Sequence, residues 1–136
     1  MIALNEEATE IFNKLISLAH SNEGYIKIEN NTDFMAVCIE RLDETMFGVH
    51  RAVNYSIAHY VELNGDLMAD PEMTFVFLPD LKMVYPSSFK NDYAGVYKES
   101  LFKNDEGVWK IWKEEQEDEA LFCEDWFNNI QGQQKI

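Results

Sequence analysis

"YSIAHYVELNGDLMADPEMTFVF", residues 55–77, decides how this chain is read. Ile57, His59, Val61 and Leu63 alternate with Ala58, Tyr60 and Glu62, the period-two pattern of a strand with two different faces. Met73, Phe75 and Phe77 resume that alternation, with Thr74 and Val76 facing the other way. Between the two runs, Asn64-Gly65 is a strong turn dipeptide and Pro71 forbids helix at Asp70, which supplies a second bend. The expectation is a pair of antiparallel strands joined by a loop over Asn64–Glu72, with the surface of that loop a candidate binding site.

The flanking sequence extends the sheet and then closes it with helices. Upstream, "EGYIKIENNTDFMAVCIERL" is two β-rich runs around Asn30-Asn31-Thr32, and "MFGVHRAV" continues in the same style. Downstream, "LKMVYP" predicts a short strand ended by Pro86, Ser87 to Gly95 an ordered loop, and residues 96–102 a further strand. Asn104-Asp105-Glu106-Gly107 then predicts a hairpin onto "VWKIW". At the N-terminus, Asn5 is a helix cap and Glu6-Glu7 favour the positive end of a helix dipole. Ala8, Ile11, Phe12, Leu15, Leu18 and Ala19 follow at helical spacing, giving a helix over about 6–20. "KEEQEDEALFCEDWFNNIQGQQ" predicts a second helix with an acid-rich first turn and a stripe of Leu121, Phe122, Trp126, Phe127 and Ile130. The fold class is therefore α+β: an antiparallel sheet of about six or seven strands flanked by an N-terminal and a C-terminal helix, in one domain spanning 1–136. One covered face is the simplest arrangement, and the strand order is open.

Composition narrows the classes of partner. The 25 acidic and 11 basic residues give a formal net charge of −14, a field that opposes direct binding to nucleic acid or an anionic membrane. No run approaches the about 18 apolar residues of a membrane span, and "MIALNEEATE" lacks the features of a signal peptide, so a cytoplasmic location is expected. Cys38 and Cys123 lie in apolar stretches without metal or redox spacing, and both read as small, buried or near-surface thiols.

Catalytic chemistry finds little support in the residues. His50, His59, Asp66, Asp70, Glu72 and Asp92 are the candidate metal ligands, yet their spacing matches neither a calcium loop nor a paired-histidine zinc motif. Asp and Asn in turns commonly bond their own backbone, which accounts for the same residues without an ion. Ser87-Ser88 lacks the nucleophile elbow, and Gly65, Gly95 and Gly107 are isolated turn glycines, not a phosphate loop. Neither an enzyme nor a cofactor is expected. Trp109 and Trp112 stand at odd spacing in "VWKIW", so one of them should face away from the core, a candidate hot spot for a protein partner unless a helix or dimer contact covers it. The acidic run Glu114, Glu115, Glu117, Asp118, Glu119 reads first as a solvated helix start and second as a surface for a basic partner.

"IAHYVELNGDLMADPEMTF", "VYPSSFKNDYAGVYKE" and "FCEDWFNNIQGQQ" together resemble an uncharacterised small domain family of bacterial conjugative elements and phages. The resemblance covers roughly residues 56–131 and attaches to His59, Asn64, Gly65, Asp66, Asp70, Pro71, Glu72, Phe89, Asp92, Trp126 and Ile130. It implies a genetic setting and no chemistry. In that setting, small acidic proteins often occupy the basic surface of a host protein, with carboxylates imitating phosphate charge. The preferred functional expectation is a protein–protein interaction that inhibits a basic host protein, one that binds nucleic acid or serves in defence, through Asp66, Asp70, Glu72, Trp109 and the acids of 114–119. Two alternatives stand beside it: a metal-dependent or small-ligand site at Asn64–Glu72, and self-assembly, including a homodimer.

Overall fold

The computed structural model describes all 136 residues. Helix α1 (Glu6–His20) comes first, followed by β1 (Tyr25–Ile28), β2 (Val37–Phe47), β3 (His50–Leu63), β4 (Asp66–Leu78), β5 (Met83–Asn91), β6 (Val96–Glu99), β7 (Leu101–Lys103) and β8 (Trp109–Ile111), and the chain ends in α2 (Lys113–Gln134). Strands β1 to β6 form one antiparallel meander in chain order, and β7 pairs with β8 as a separate ribbon. Asn5 caps α1 as its chemistry requires, its Oδ1 accepting from the Ala8 N–H at 2.8 Å.

Both helices pack on the same face of the sheet. Phe12 and Leu15 of α1, Cys123, Phe127 and Ile130 of α2, and Ile39, Ile57, Met73 and Phe75 of the strands are all fully buried in one core. Strand alternation sends Ala52, Val76, Leu78 and Tyr85 to the opposite face, where Leu101 of the ribbon covers them in a second, smaller cluster. The expectation of a sheet covered on one face only is thus corrected: Phe47 and Trp109 close one end of the second face, with ring centroids 4.9 Å apart. Burial pushes the Cys123 thiol well up, whereas Cys38 is half-buried. A thiol reagent is therefore expected to label one cysteine in the folded chain and two in denaturant; rapid labelling of both in the folded chain would contradict the packing of α2.

Several local expectations change, and the causes are contacts made with partner strands or with α2. The turn between β3 and β4 is only Asn64-Gly65, both residues at positive φ, with Leu63 paired to Asp66. Asp66–Glu72 is strand, not loop. Asp70-Pro71, joined by a cis peptide bond, forms a bulge of two residues opposite His59, the kind of sheet position that tolerates a proline without an N–H. Pro86 likewise does not end its strand: β5 runs through it to Asn91, with Ser87 bulged out between the Thr74 and Phe75 pairings. The predicted Ser87–Gly95 loop is thereby reduced to the turn at Asp92–Gly95. "MFGVHRAV" is divided by a turn at Gly48-Val49, and residues 96–102 are divided at Ser100 between two sheets. Finally, the link from β1 to β2 is longer than a tight hairpin, and Gln134 at the end of α2 holds it. Its Oε1 accepts from Asn30 N at 2.9 Å and its Nε2 donates to the Met35 carbonyl at 3.1 Å.

Candidate functional site

The opening stretch places its acids on a hairpin arm and leaves no cluster among them. Beyond the pairing of Ala58 with Glu72, only β3 and β4 continue to pair as far as the turn, so this end of the hairpin has no strand on either side. Asp66 is exposed beside the turn. Asp70 accepts from Asn91 Nδ2 at 3.0 Å, and Asp92 Oδ2 accepts from the Ala69 N–H at 2.7 Å, so both carboxylates fasten the arm to the start of the next turn. Glu72 Oε2 accepts from the Tyr60 hydroxyl at 2.5 Å, and burial together with that carboxylate pushes the Tyr60 phenol up. His50 is half-buried at the start of β3. His59 is buried, with Nδ1 2.9 Å from the Ala36 carbonyl and Nε2 accepting from Trp126 Nε1–H at 2.9 Å. These bonds fix its neutral tautomer with the proton on Nδ1 and make it a brace between β3 and α2. No group of three or more His, Cys, Asp or Glu side chains is placed to hold a metal ion.

Of the two tryptophans at the end of the sheet, Trp109 is the one that faces inward. Its indole N–H donates to the Met46 carbonyl at 3.1 Å and its ring lies on Phe47, so it is half-buried in the sheet's second face. Trp112 is the exposed tryptophan, at 61%. A groove beside Trp109, about 300 Å³ in volume, is lined by Asn54, Thr74, Ser87 and Lys103 among others. Its polar groups already serve one another: Asn54 donates to Asp43 at 2.7 Å, Thr74 bonds Ser87 at 2.7 Å, and Lys103 donates to Thr45 at 3.2 Å. Such a satisfied surface asks for no ligand.

The acidic run of α2 behaves differently. Glu114, Glu117 and Asp118 are exposed, Glu115 is half-buried, and Glu119 is only 5% exposed, so Glu119 is not the surface acid expected from the sequence. Glu115, Asp118, Glu119 and Phe122 recur at i, i+3, i+4 and i+7 and so share one side of the helix. Opposite them stand Phe89 of β5 and Val96 and Lys98 of β6, the outermost strand of the sheet. Together these seven residues line a groove of about 220 Å³. Its end wall is aromatic, with Phe89 and Phe122 edge to face at 5.2 Å. Leu121 and Phe122, expected in the core stripe, are exposed at 57% and 40%, while Ala120, Cys123 and Gln134 take the buried positions.

Ser100 explains how Glu119 is held. Where the chain crosses from one sheet to the other, Ser100 N–H donates to the Ser87 carbonyl at 2.8 Å and its own carbonyl accepts from Trp112 N–H at 2.7 Å. The fully buried Ser100 hydroxyl donates to Glu119 Oε1 at 2.7 Å. Glu119 Oε2 is buried with no hydrogen-bond partner. Burial pushes the Glu119 carboxyl up to about 7; Glu115 and Asp118 act in the same direction, against the Ser100 hydroxyl and Lys98. A buried carboxyl so displaced, at a cleft, with one oxygen unserved, is the arrangement functional sites favour.

The sequence offered a signal for this that periodicity could have caught. Glu119 lies four residues before Cys123 and seven before Trp126, on the extension of the apolar stripe. Phe89, Val96, Lys98 and Ser100 carried no such signal, because their meeting with α2 depends on the crossover at Ser100.

No curated protein and no solved structure matches the chain. One family model does, over residues 6–136, and its description is "Domain of unknown function (DUF6908)". By that match over nearly its whole length, the chain belongs to the DUF6908 family of domains of unknown function.

Proposed function

We propose that this protein is a binding module, not an enzyme, and that it engages a basic protein through the acidic side of α2 and the groove beneath it. The observation that carries this reading is the charge left unpaired at that site. Of the 25 acidic side chains only Glu44 and Asp92 form ion pairs within the chain, and none of Glu114, Glu115, Glu117, Asp118 and Glu119 does. Exposed Leu121 and Phe122 lie next to those acids, so the surface combines charge with an aromatic anchor. Acids at the rim accelerate encounter with a cationic surface, and the apolar centre supplies contact area. The resemblance to domains of conjugative elements and phages supplies the setting: a cytoplasmic accessory protein occupying the basic site of a host protein that handles nucleic acid.

The test is capture from host lysate at low ionic strength, followed by elution with salt. A basic nucleic-acid-handling protein is expected to elute sharply as salt rises, because charge attraction at this surface is screened. Replacing Glu114→Gln, Glu117→Gln and Asp118→Asn together is expected to weaken capture about tenfold, from three exposed charges each worth up to about 1 kcal/mol. Capture unchanged in a folded triple variant would refute the reading.

A further inference from the structure

We propose that the groove between α2 and β6 receives a single arginine or lysine side chain of the partner, with its cation against Glu119 and its stem along Phe89 and Phe122. The inference rests on the binding reading above and deepens it. Three independent features point to a cationic side chain.

The first is the unserved oxygen. Glu119 Oε1 accepts from Ser100, whereas buried Oε2 accepts from nothing within the chain. An unpartnered buried carboxyl oxygen is costly, and an N–H donor delivered from outside removes that cost. The second is the lining. Glu115 and Asp118 stand on the same side of α2 as Glu119, so an entering cation meets three carboxyl groups. The aromatic pair of Phe89 and Phe122 gives the methylene stem an apolar wall and offers a guanidinium a ring face. The third is the chain's own cation. Lys98 lines the groove but comes within ion-pair distance of no carboxylate, so the internal lysine does not occupy the place.

Arginine fits better than lysine. A planar guanidinium offers several N–H groups in a fixed fork, able to reach Glu119 while a second edge faces Asp118 or Glu115. Binding also draws Glu119 towards its charged form. The titratable groups facing it are Glu115 and Asp118 from α2 and Lys98 from β6, with the Ser100 hydroxyl as its hydrogen-bond donor. Since the free carboxyl titrates at about 7, an arginine should bind more weakly at pH 6 than at pH 8.

The test uses the full chain and two defined probes, acetyl-phenylalanyl-arginine amide and its citrulline counterpart, which has the same shape without the charge. Amide resonances of the labelled protein are followed during titration. Saturable shifts are expected at Val96, Lys98, Glu119 and Phe122, with the citrulline probe at least about fivefold weaker. Glu119→Gln is expected to weaken the arginine probe by a similar factor at pH 8 and to remove the difference between pH 6 and pH 8. Glu10→Gln with Glu40→Gln, exposed on α1 and β2 and outside the groove, should leave the probe's affinity within about twofold. Equal binding of the two probes, shifts scattered over other acidic surfaces, or an unaffected Glu119→Gln variant would overturn the proposal. These results do not depend on lysate capture: a groove that ignores the probe, in a protein that still captures its partner through the exposed acids, removes the inference and leaves the broader reading.

Discussion

Phe12→Ala is expected to lower the unfolding free energy by about 3–5 kcal/mol, the usual range for removing a fully buried aromatic ring. Phe12 is 0% exposed, and its ring centroid lies 5.5 Å from Phe75, 5.7 Å from Tyr55 and Phe77, and 6.5 Å from Phe127. One side chain of α1 therefore touches β3, β4 and α2 together. No neighbour can collapse into the space without dragging a strand or helix with it, which keeps the cavity open and the cost high. Domains of this size have about 5–15 kcal/mol of stability in total, so the variant should unfold at much lower urea concentration. A midpoint within error of the parent would show that α1 does not seat on the sheet as described.

Glu119→Gln is expected to stabilise the protein, and only above a particular pH. Glu119 titrates at about 7 in the folded chain against 4.5 for an ordinary glutamate. Between those values the folded state holds a proton that the unfolded state has released, so stability from this group falls as pH rises through that window and is lost above it. Each pH unit of separation is worth about 1.4 kcal/mol, and screening through the open side of the groove reduces the total to about 1–2 kcal/mol. Glutamine keeps the shape and carries no charge to desolvate. The parent and the variant should thus differ least below pH 4.5 and diverge up to about pH 7, with the variant the more stable at pH 8. Urea denaturation of both across that range isolates the group from the background repulsion of a chain with a formal net charge of −14. Parallel curves would mean that Glu119 is hydrated like any surface acid, and would remove the support its burial gives to the groove.

His59 shows how residue type and residue role come apart. By sequence it stood among the metal-ligand candidates, although a histidine inside a strand is more often packed and hydrogen-bonded; in the fold it is packed so, with Ala36 and Trp126 engaging both ring nitrogens, and it braces a strand against a helix. Which of Trp109 and Trp112 faces away from the core, left open by their spacing, was decided for a similar reason. The ribbon of β7 and β8 folds over the second face and takes Trp109 with it, leaving Trp112 at the start of α2 exposed. Nothing in the five residues of "VWKIW" encodes which tryptophan a distant Phe47 will cover.

Local physical chemistry was enough to determine both helices, the Asn5 cap, the Asn64-Gly65 turn, the alternation of β3 and β4 and the α+β class, because each rests on periodicity or dihedral preference within a few residues. Tertiary structure alone decided the course of the chain through Asp70-Pro71 and Pro86, since a bulge exists only relative to a partner strand that absorbs the extra residue. It also decided that an evenly acidic run would divide into exposed Glu114, Glu117 and Asp118 and buried Glu119. Charge is a property of the residue, but its free energy depends on the water around it. The crossover at Ser100 is what removes that water from Glu119.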